Sequence, residues 1–302
     1  MPKGPTHGRL AIEFSPPAWL VKLWGSELGW DTTRELLAAN QNAAPTCLRV
    51  PLDQNRESVI ESLLEQNIAA RAGEFSSRAI RLDGPLGAVR ADPNFANLIP
   101  QSEASLLVAE LMAAKSGEAI ADLCAAPGGK TELLREGVGP GGLVVATDKA
   151  PSGLLRLQGR GLSPLARCDA AHPPFPAESF DAVLVDAPCS GLGTLRGHPE
   201  IRWRREPRDL AKLARKQGDI LNGGASLVRS GGRMVYATCT FVREENEAVV
   251  QRFLAEHPEF CLEPANEILE AGMHAGVTRN GFLETSPLGG GLDGFFAARL
   301  RR

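Results

Sequence analysis

With 302 residues, 43% of them apolar and 23% charged, the chain can bury a sizeable core, as one large domain or as a catalytic domain with a smaller companion. A net charge of −3 excludes a protein that coats nucleic acid by bulk electrostatics, so contact with a polyanion must come from a local patch. The opening "MPKGPTHGRL" has no apolar run behind its positive charges, and no apolar segment approaches the ~18 residues of a membrane span, so a soluble, cytoplasmic chain is expected.

The first hundred residues begin with a helical pattern, "PPAWLVKLWGSELGWDTTRELLAANQ". "TCLRVPLDQNRESVIESLLEQNI" then reads as strand, loop and helix, with Val59, Ile60, Leu63 and Leu64 on the apolar face. "AIRLDGP" reads as a further strand, and "ADPNFANLIPQSEAS" as a linker into a helix near Glu103–Lys115. Residues 1–97 are therefore expected to hold a helical segment plus a small α/β subdomain, and residues 98–302 the main domain.

From Ala119 onward the apolar runs "AIADLCA", "LVVATD", "DAVLVDAP" and "GRMVYATCT" alternate with helical patterns. Such alternation implies an α/β fold with a mostly parallel sheet covered on both faces. Ligands of these sheets bind beyond the carboxyl ends of the strands, where Asp122 to Ala126, Asp148, Asp186 and Cys239 all fall.

"ADLCAAPGGKTELL" places a Gly-Gly turn between a strand and a helix, a place where backbone comes close to a ligand. Asp148 follows Gly128 by 20 residues, the distance at which a carboxylate meets ribose hydroxyls. Asp169, after the next apolar run, could accept from an adenine amino group. "GVGPGG" matches a dinucleotide fingerprint only in letters, because it follows a helix and precedes a strand. Acids without a phosphate cradle favour S-adenosylmethionine over a dinucleotide.

The six cysteines form no C-x-x-C pair, which argues against a zinc cluster, and they are too sparse for a disulfide scaffold. Cys47, Cys168 and Cys261 read as structural, and Cys124 as backbone or packing. Cys189 and Cys239 stand at the ends of successive strand patterns and can face one pocket. Two thiols beside a methyl donor suggest methylation at C5 of a pyrimidine. Thiolate attack at C6 makes C5 nucleophilic, loss of the C5 proton then expels the thiolate, and a second thiol assists its release. Asp186 is placed to stabilise the adduct at N3. The stretch from Arg196 to Lys216 carries eight basic residues against three acids, a solvated helix face or a polyanion-binding surface.

"DLCAAPGGKT", "VLVDAPCSGLGT", "HPEIRW", "YATCTFVREENEAVV" and "DGFFAARL" together resemble the RsmB/NSUN-type (Fmu/Sun) RNA 5-methylcytosine methyltransferases over residues 100–302. "LRV" and "IPQSEAS" are similar to that family's small RNA-binding subdomain and its junction, and "PPAWLVKLWGSELGW" looks most like the bacterial ribosomal RNA branch. The resemblance implies a Rossmann-like methyltransferase domain with a seven-stranded, mostly parallel sheet. It makes Cys239 the nucleophile and Cys189 the thiol that helps release product. It sets S-adenosylmethionine against Cys124, Ala125, Ala126, Pro127, Gly128, Gly129 and Lys130, with Asp148 on the ribose, Asp169 at the adenine and Asp186 near the methyl group. It turns Arg196, Arg202, Arg204 and Arg205 into candidates for RNA contact, with ribosomal RNA as partner, no metal, no membrane and a monomeric enzyme.

Two residues depart from the family's pattern, Ala237 where serine is usual beside the nucleophile and Pro51 where asparagine is usual. About 100 residues ahead of the main domain are also too few for both the subdomain and the additional helical RNA-binding domain of many bacterial ribosomal enzymes. Transfer RNA remains the competing substrate. A non-catalytic RNA-binding factor and a nicotinamide oxidoreductase are the rival classes, opposed by the intact cysteines and the acid set.

Overall fold

A computed structural model describes residues 6–269, 277–288 and 291–302. Three helices come first, α1 (Thr6–Phe14), α2 (Ala18–Leu28) and α3 (Trp30–Ala39). The single helical run expected here is broken at Gly29, whose φ of 82° suits glycine and which caps both α2 and α3. Leu20, Val21, Trp24 and Leu36 from these helices are buried together with Leu192, Leu195, Leu210 and Val242, all from the second half of the chain. The helical segment thus packs on loops and the start of a long helix of the main domain.

The small sheet follows, with β1 (Thr46–Arg49), α4 (Arg56–Glu65), β2 (Ala70–Ala72), β3 (Ala79–Leu82), α5 (Leu86–Ala91) and β4 (Ile99–Pro100). Asn55 starts α4 by accepting from the Ser58 N–H at 3.0 Å. The strands run antiparallel in the order β2-β3-β1-β4, over a core of Leu48, Leu63, Ile80 and Leu82. Strand β4 lies two residues beyond the break expected at residue 97 and pairs with β1, so the linker is itself knitted into the small sheet.

The main sheet is built from β5 (Ala119–Asp122), β6 (Leu143–Asp148), β7 (Leu165–Arg167), β8 (Phe180–Asp186), β9 (Val228–Thr238), β10 (Cys261–Glu263), β11 (Thr278–Arg279), β12 (Phe282–Glu284) and β13 (Phe296–Arg301). Its helices are α6 (Glu103–Leu111), α7 (Gly129–Val138), α8 (Pro151–Gly159), α9 (Ile201–Arg204), α10 (Pro207–Leu227), α11 (Glu247–Glu256) and α12 (Ala265–Ile268). Strands β9-β8-β5-β6-β7 are parallel neighbours, the alternation read from the sequence. Beyond β9 the sheet turns antiparallel, with β13 against β9 and both β12 and β10 against β13. The described sheet has nine strands rather than seven. The strands the sequence did not show are β10, β11 and β12, of three, two and three residues, too short for a period to show.

Alternate residues of β8 face opposite ways. Val183 and Val185 join a cluster closed by Ile220, Leu221 and Ala225 of α10, whereas Ala182 and Leu184 join one closed by Leu107, Val108 and Leu111 of α6. The sheet is therefore covered on both faces, and its carboxyl ends are left for a site.

Arg49, fully buried on β1, reaches Glu132 at 2.8 Å and Glu136 at 2.6 Å on α7, clasping the small sheet to the main domain. Arg160 and Arg78 also serve these two carboxylates, which are partly exposed, so the loss on removing Arg49 is softened. Arg49→Ala is expected to lower unfolding free energy by about 2 kcal/mol in denaturant titration. Arg49→Lys should recover less than half of this, because a point charge cannot hold two carboxylates at once. A wild-type midpoint for the alanine variant refutes the clasp.

Candidate active site

Four carboxylates mark the ends of the parallel strands. Asp122 closes β5 and is fully buried, with the Thr131 hydroxyl donating to its Oδ2 at 2.7 Å. Asp148 closes β6 and accepts from the Ala150 N–H at 2.7 Å through Oδ1. A Cβ at Gly153 would lie 2.5 Å from the Asp148 carboxyl carbon, so a glycine is needed on α8 for this carboxylate to sit where it does. Asp169 lies past β7, and its hydrogen bond from Lys149 at 2.5 Å holds its pKa below the ordinary range. Asp186 closes β8 and pairs with Lys130 Nζ at 2.7 Å.

Between β5 and α7 the chain turns at Gly128, whose φ is 107°. Gly129 opens α7 so close to Gln101 that a Cβ would come within 3.2 Å of that side chain. Lys130 does not project into open space. Its ammonium spans from α7 to Asp186 and lies 5.4 Å over the Phe295 ring. Burial alone would depress this ammonium, but the facing Asp186 carboxylate outweighs it and raises the pKa above the ordinary lysine range.

Asp122 has a different character. Burial pushes its carboxyl up to about 7, against the hydrogen bond from Thr131, and its Oδ1 has no partner. Between the ordinary carboxylate value and about 7 the folded chain holds a proton that the unfolded chain has released. This group's contribution to stability is therefore complete at low pH and is lost as pH rises through that window. Asp122→Asn should remove the dependence. The melting temperature of the wild type minus that of the variant is expected to fall by several degrees between about pH 4 and about pH 7. A difference that stays flat across the window contradicts a neutral buried carboxyl.

Cys189 and Cys239 meet at the ends of adjacent strands. Their sulfurs are 3.4 Å apart, and the Cys239 backbone N–H donates to Cys189 Sγ at 3.3 Å. The hydrogen bond to Cys239, and then burial, raise the Cys189 thiol well above the ordinary cysteine range. Across this contact either sulfur can donate to the other. Burial likewise raises Cys124, and it raises Cys47 to about 12. Cys168 is buried, and Cys261, expected as structural, is exposed on β10.

Sequence reasoning missed the groups that hold this pair. Glu245 Oε2, buried, accepts from the Ser190 N–H at 2.8 Å and from Gln217 Nε2 at 2.9 Å. Gln217 also donates to Pro188 O at 3.1 Å, Ser190 Oγ donates to Thr240 Oγ1 at 2.9 Å, and the Tyr236 hydroxyl donates to Glu245 O at 2.5 Å. The only sequence signal for Glu245 was its place in "REENEAVV", which by charge alone reads as a solvated helix start. Phe295 was visible only as part of "DGFFAARL".

The four arginine candidates separate. Arg205 donates to Ser190 O at 2.9 Å and to Cys189 O at 3.1 Å, and Arg196 donates to Gly291 O at 2.6 Å and to Asp293 at 3.2 Å. Both brace loops around the thiols. Arg202 is half-buried and Arg204 is exposed. Ala237, fully buried, packs with Leu184, Val235 and Ala297 in the core. A serine hydroxyl at this position would start from apolar surroundings. Pro51 begins a turn closed by the Gln54 N–H to its carbonyl at 3.2 Å.

This arrangement fits S-adenosylmethionine. The orphaned Asp122 oxygen and the carboxylates of Asp148, Asp169 and Asp186 suit hydroxyls, an amino group and a cation, and four acids around the Gly128 turn would repel a diphosphate. Among the described residues no cluster of ligating side chains suits a metal ion, and no helix is long and apolar enough to cross a membrane.

The profile of the 16S rRNA methyltransferase RsmB/F family matches residues 109–301, and that of the RsmF/B-like ferredoxin-like domain matches residues 16–89. A protein of Synechocystis sp. called probable ribosomal RNA small subunit methyltransferase B is 36% identical over 97% of this chain and 68% of its own length. The crystal structure of PH0851 is 29% identical and superposes with a TM-score of 0.87, covering 100% of this chain and 70% of that one. The fold is also that of NSun6 from Pyrococcus horikoshii, solved with SFG, at 19% identity, a TM-score of 0.77 and coverage of 93% and 97%. The match over most of the main domain, at a site that fits the cofactor, shows that the chain belongs to the RsmB/F family of S-adenosylmethionine-dependent RNA methyltransferases.

Proposed function

We propose that this enzyme methylates C5 of a cytosine in small-subunit ribosomal RNA, with Cys239 as nucleophile and Cys189 as the thiol that assists its release. The observation that carries the reading is the pair of sulfurs 3.4 Å apart just past the ends of adjacent parallel strands, with the Lys130–Asp186 pair at the end of β8, the strand that leads into Cys189. S-adenosylmethionine supplies an electrophilic methyl group. Cys239 forms a bond to C6 and makes C5 nucleophilic, and Asp186 stabilises the ring at N3. Once the C5 proton passes to solvent, the electrons of the C5–H bond restore the C5–C6 double bond, the C6–S bond breaks with its electrons on sulfur, and the S–H of Cys189 stabilises the departing thiolate. Asp148 and Asp169 hold the ribose and adenine, and the 124–130 turn holds the rest of the cofactor. Exposed Arg204 and half-buried Arg202 supply electrostatic attraction to phosphate.

Bisulfite sequencing of 16S rRNA, free and in small subunits, and of transfer RNA treated with enzyme and cofactor tests the reading. One newly protected cytosine in 16S rRNA is the expected result. Methyl incorporation without a protected cytosine refutes C5 chemistry, and protection in transfer RNA alone moves the substrate.

A further inference from the structure

A cleft of about 590 Å³ opens between the end of α3 and the segment running from the Cys189 loop through α9. Its walls bring Asn40 and Gln41 against Arg196, Arg202 and Trp203. Three features are not accounted for by folding. Trp203 is 67% exposed, in a chain whose Trp24 is fully buried. Asn40 is only 5% exposed, and its Nδ2 donates to Leu36 O at 2.9 Å while its Oδ1, also buried, has no partner. Arg202 Nε is likewise buried without a partner. Desolvation lowers the pKa of that guanidinium. A buried acceptor and a buried donor without partners beside one cleft call for an explanation, and a polar ligand entering there supplies one.

The side chains select the ligand's chemistry. An exposed indole offers a face for stacking a base, a guanidinium meets a phosphate, and side-chain amides offer both donor and acceptor to a base edge. Glu200, also on the wall, turns toward His198 at 3.8 Å. The cleft is mechanically joined to the thiols, because Arg205, two residues beyond Trp203, holds the carbonyls of Ser190 and Cys189. We propose that this cleft holds an unpaired nucleotide of the RNA strand near the target cytosine, its base stacked on Trp203 and its phosphate met by Arg202. The assignment rests on the RNA methyltransferase reading and adds single-stranded flanking sequence to the substrate it requires.

The test is binding of a fluorescein-labelled, mixed-sequence single-stranded RNA of about 15 nucleotides to the whole protein with S-adenosylhomocysteine present, a length that covers one single-strand site. Trp203→Ala should weaken binding about tenfold, and Trp203→Phe should stay within about threefold of the wild type. Trp203→Leu should behave like the alanine variant. Arg202→Gln should reduce the salt slope by about one unit. The exposed indole can be removed without unfolding, which melting checks. Wild-type affinity in Trp203→Ala overturns the proposal. So does full retention by Trp203→Leu, which points to an apolar protein contact, or equal competition by duplex RNA, which points to a general basic surface. Methyl incorporation measured in parallel separates the two readings. A protected cytosine with unchanged Trp203→Ala binding removes the cleft alone, and lost binding without C5 methylation removes the C5 chemistry alone.

Discussion

Cys239→Ala is expected to reduce methyl transfer by at least about 10³-fold, while S-adenosylhomocysteine binding and the melting temperature stay near wild-type values. The size follows from the substrate's chemistry. Without a bond at C6, the C5 carbon lacks the electron density to take a methyl group, and positioning alone does not supply it. The small structural effect follows from the setting, since Cys239 is only half-buried and its loop is held by its own carbonyl, which accepts from the Gly193 N–H at 3.0 Å. Activity within tenfold of the wild type would remove Cys239 from the mechanism.

Cys189→Ala is expected to do something different in kind. The substitution takes away the thiol facing Cys239, the proton donor of the proposed release step, and the acceptor of the Cys239 N–H, but it leaves the proposed attacking sulfur. A single methylation should proceed, and multiple turnover should fall about 10²-fold. The stalled C6 adduct should appear as a protein–RNA band that survives denaturing electrophoresis. If the band appears with Cys239→Ala and not with Cys189→Ala, the two thiols exchange roles.

The parts of the structure legible in the sequence are those fixed by local pattern. The runs ending at Asp122, Asp148, Asp186 and Thr238 became parallel strands because each is a short apolar stretch between helical periods, and the acids at their ends followed. Strands β10 to β12 were invisible because two or three residues carry no periodicity, and they form only against distant partners, β10 and β12 against β13 and β11 against β12. Gly29 looked like any helix-interior glycine until its positive φ separated α2 from α3. The support of the thiols was harder still. Glu245, Gln217 and Arg205 are polar residues that sequence rules send to the surface, yet each turns inward to satisfy a backbone group of residues 188–190. Their role is set by a loop up to 55 residues away, which no window on the sequence contains.

Strand β13 pairs with β9 from Phe296 opposite Thr238 to Arg301 opposite Arg233, and just ahead of it the Gly294 N–H donates to Gly193 O at 2.8 Å while Phe295 lies under the Lys130 ammonium. During synthesis both cysteines therefore emerge well before the strand that completes their surroundings. A nascent chain that has exposed Cys239 but not residues 294–301 has an open sheet edge at β9 and no wall beside Lys130. The surroundings of the thiols are complete only when β13 lies between β9 and β12.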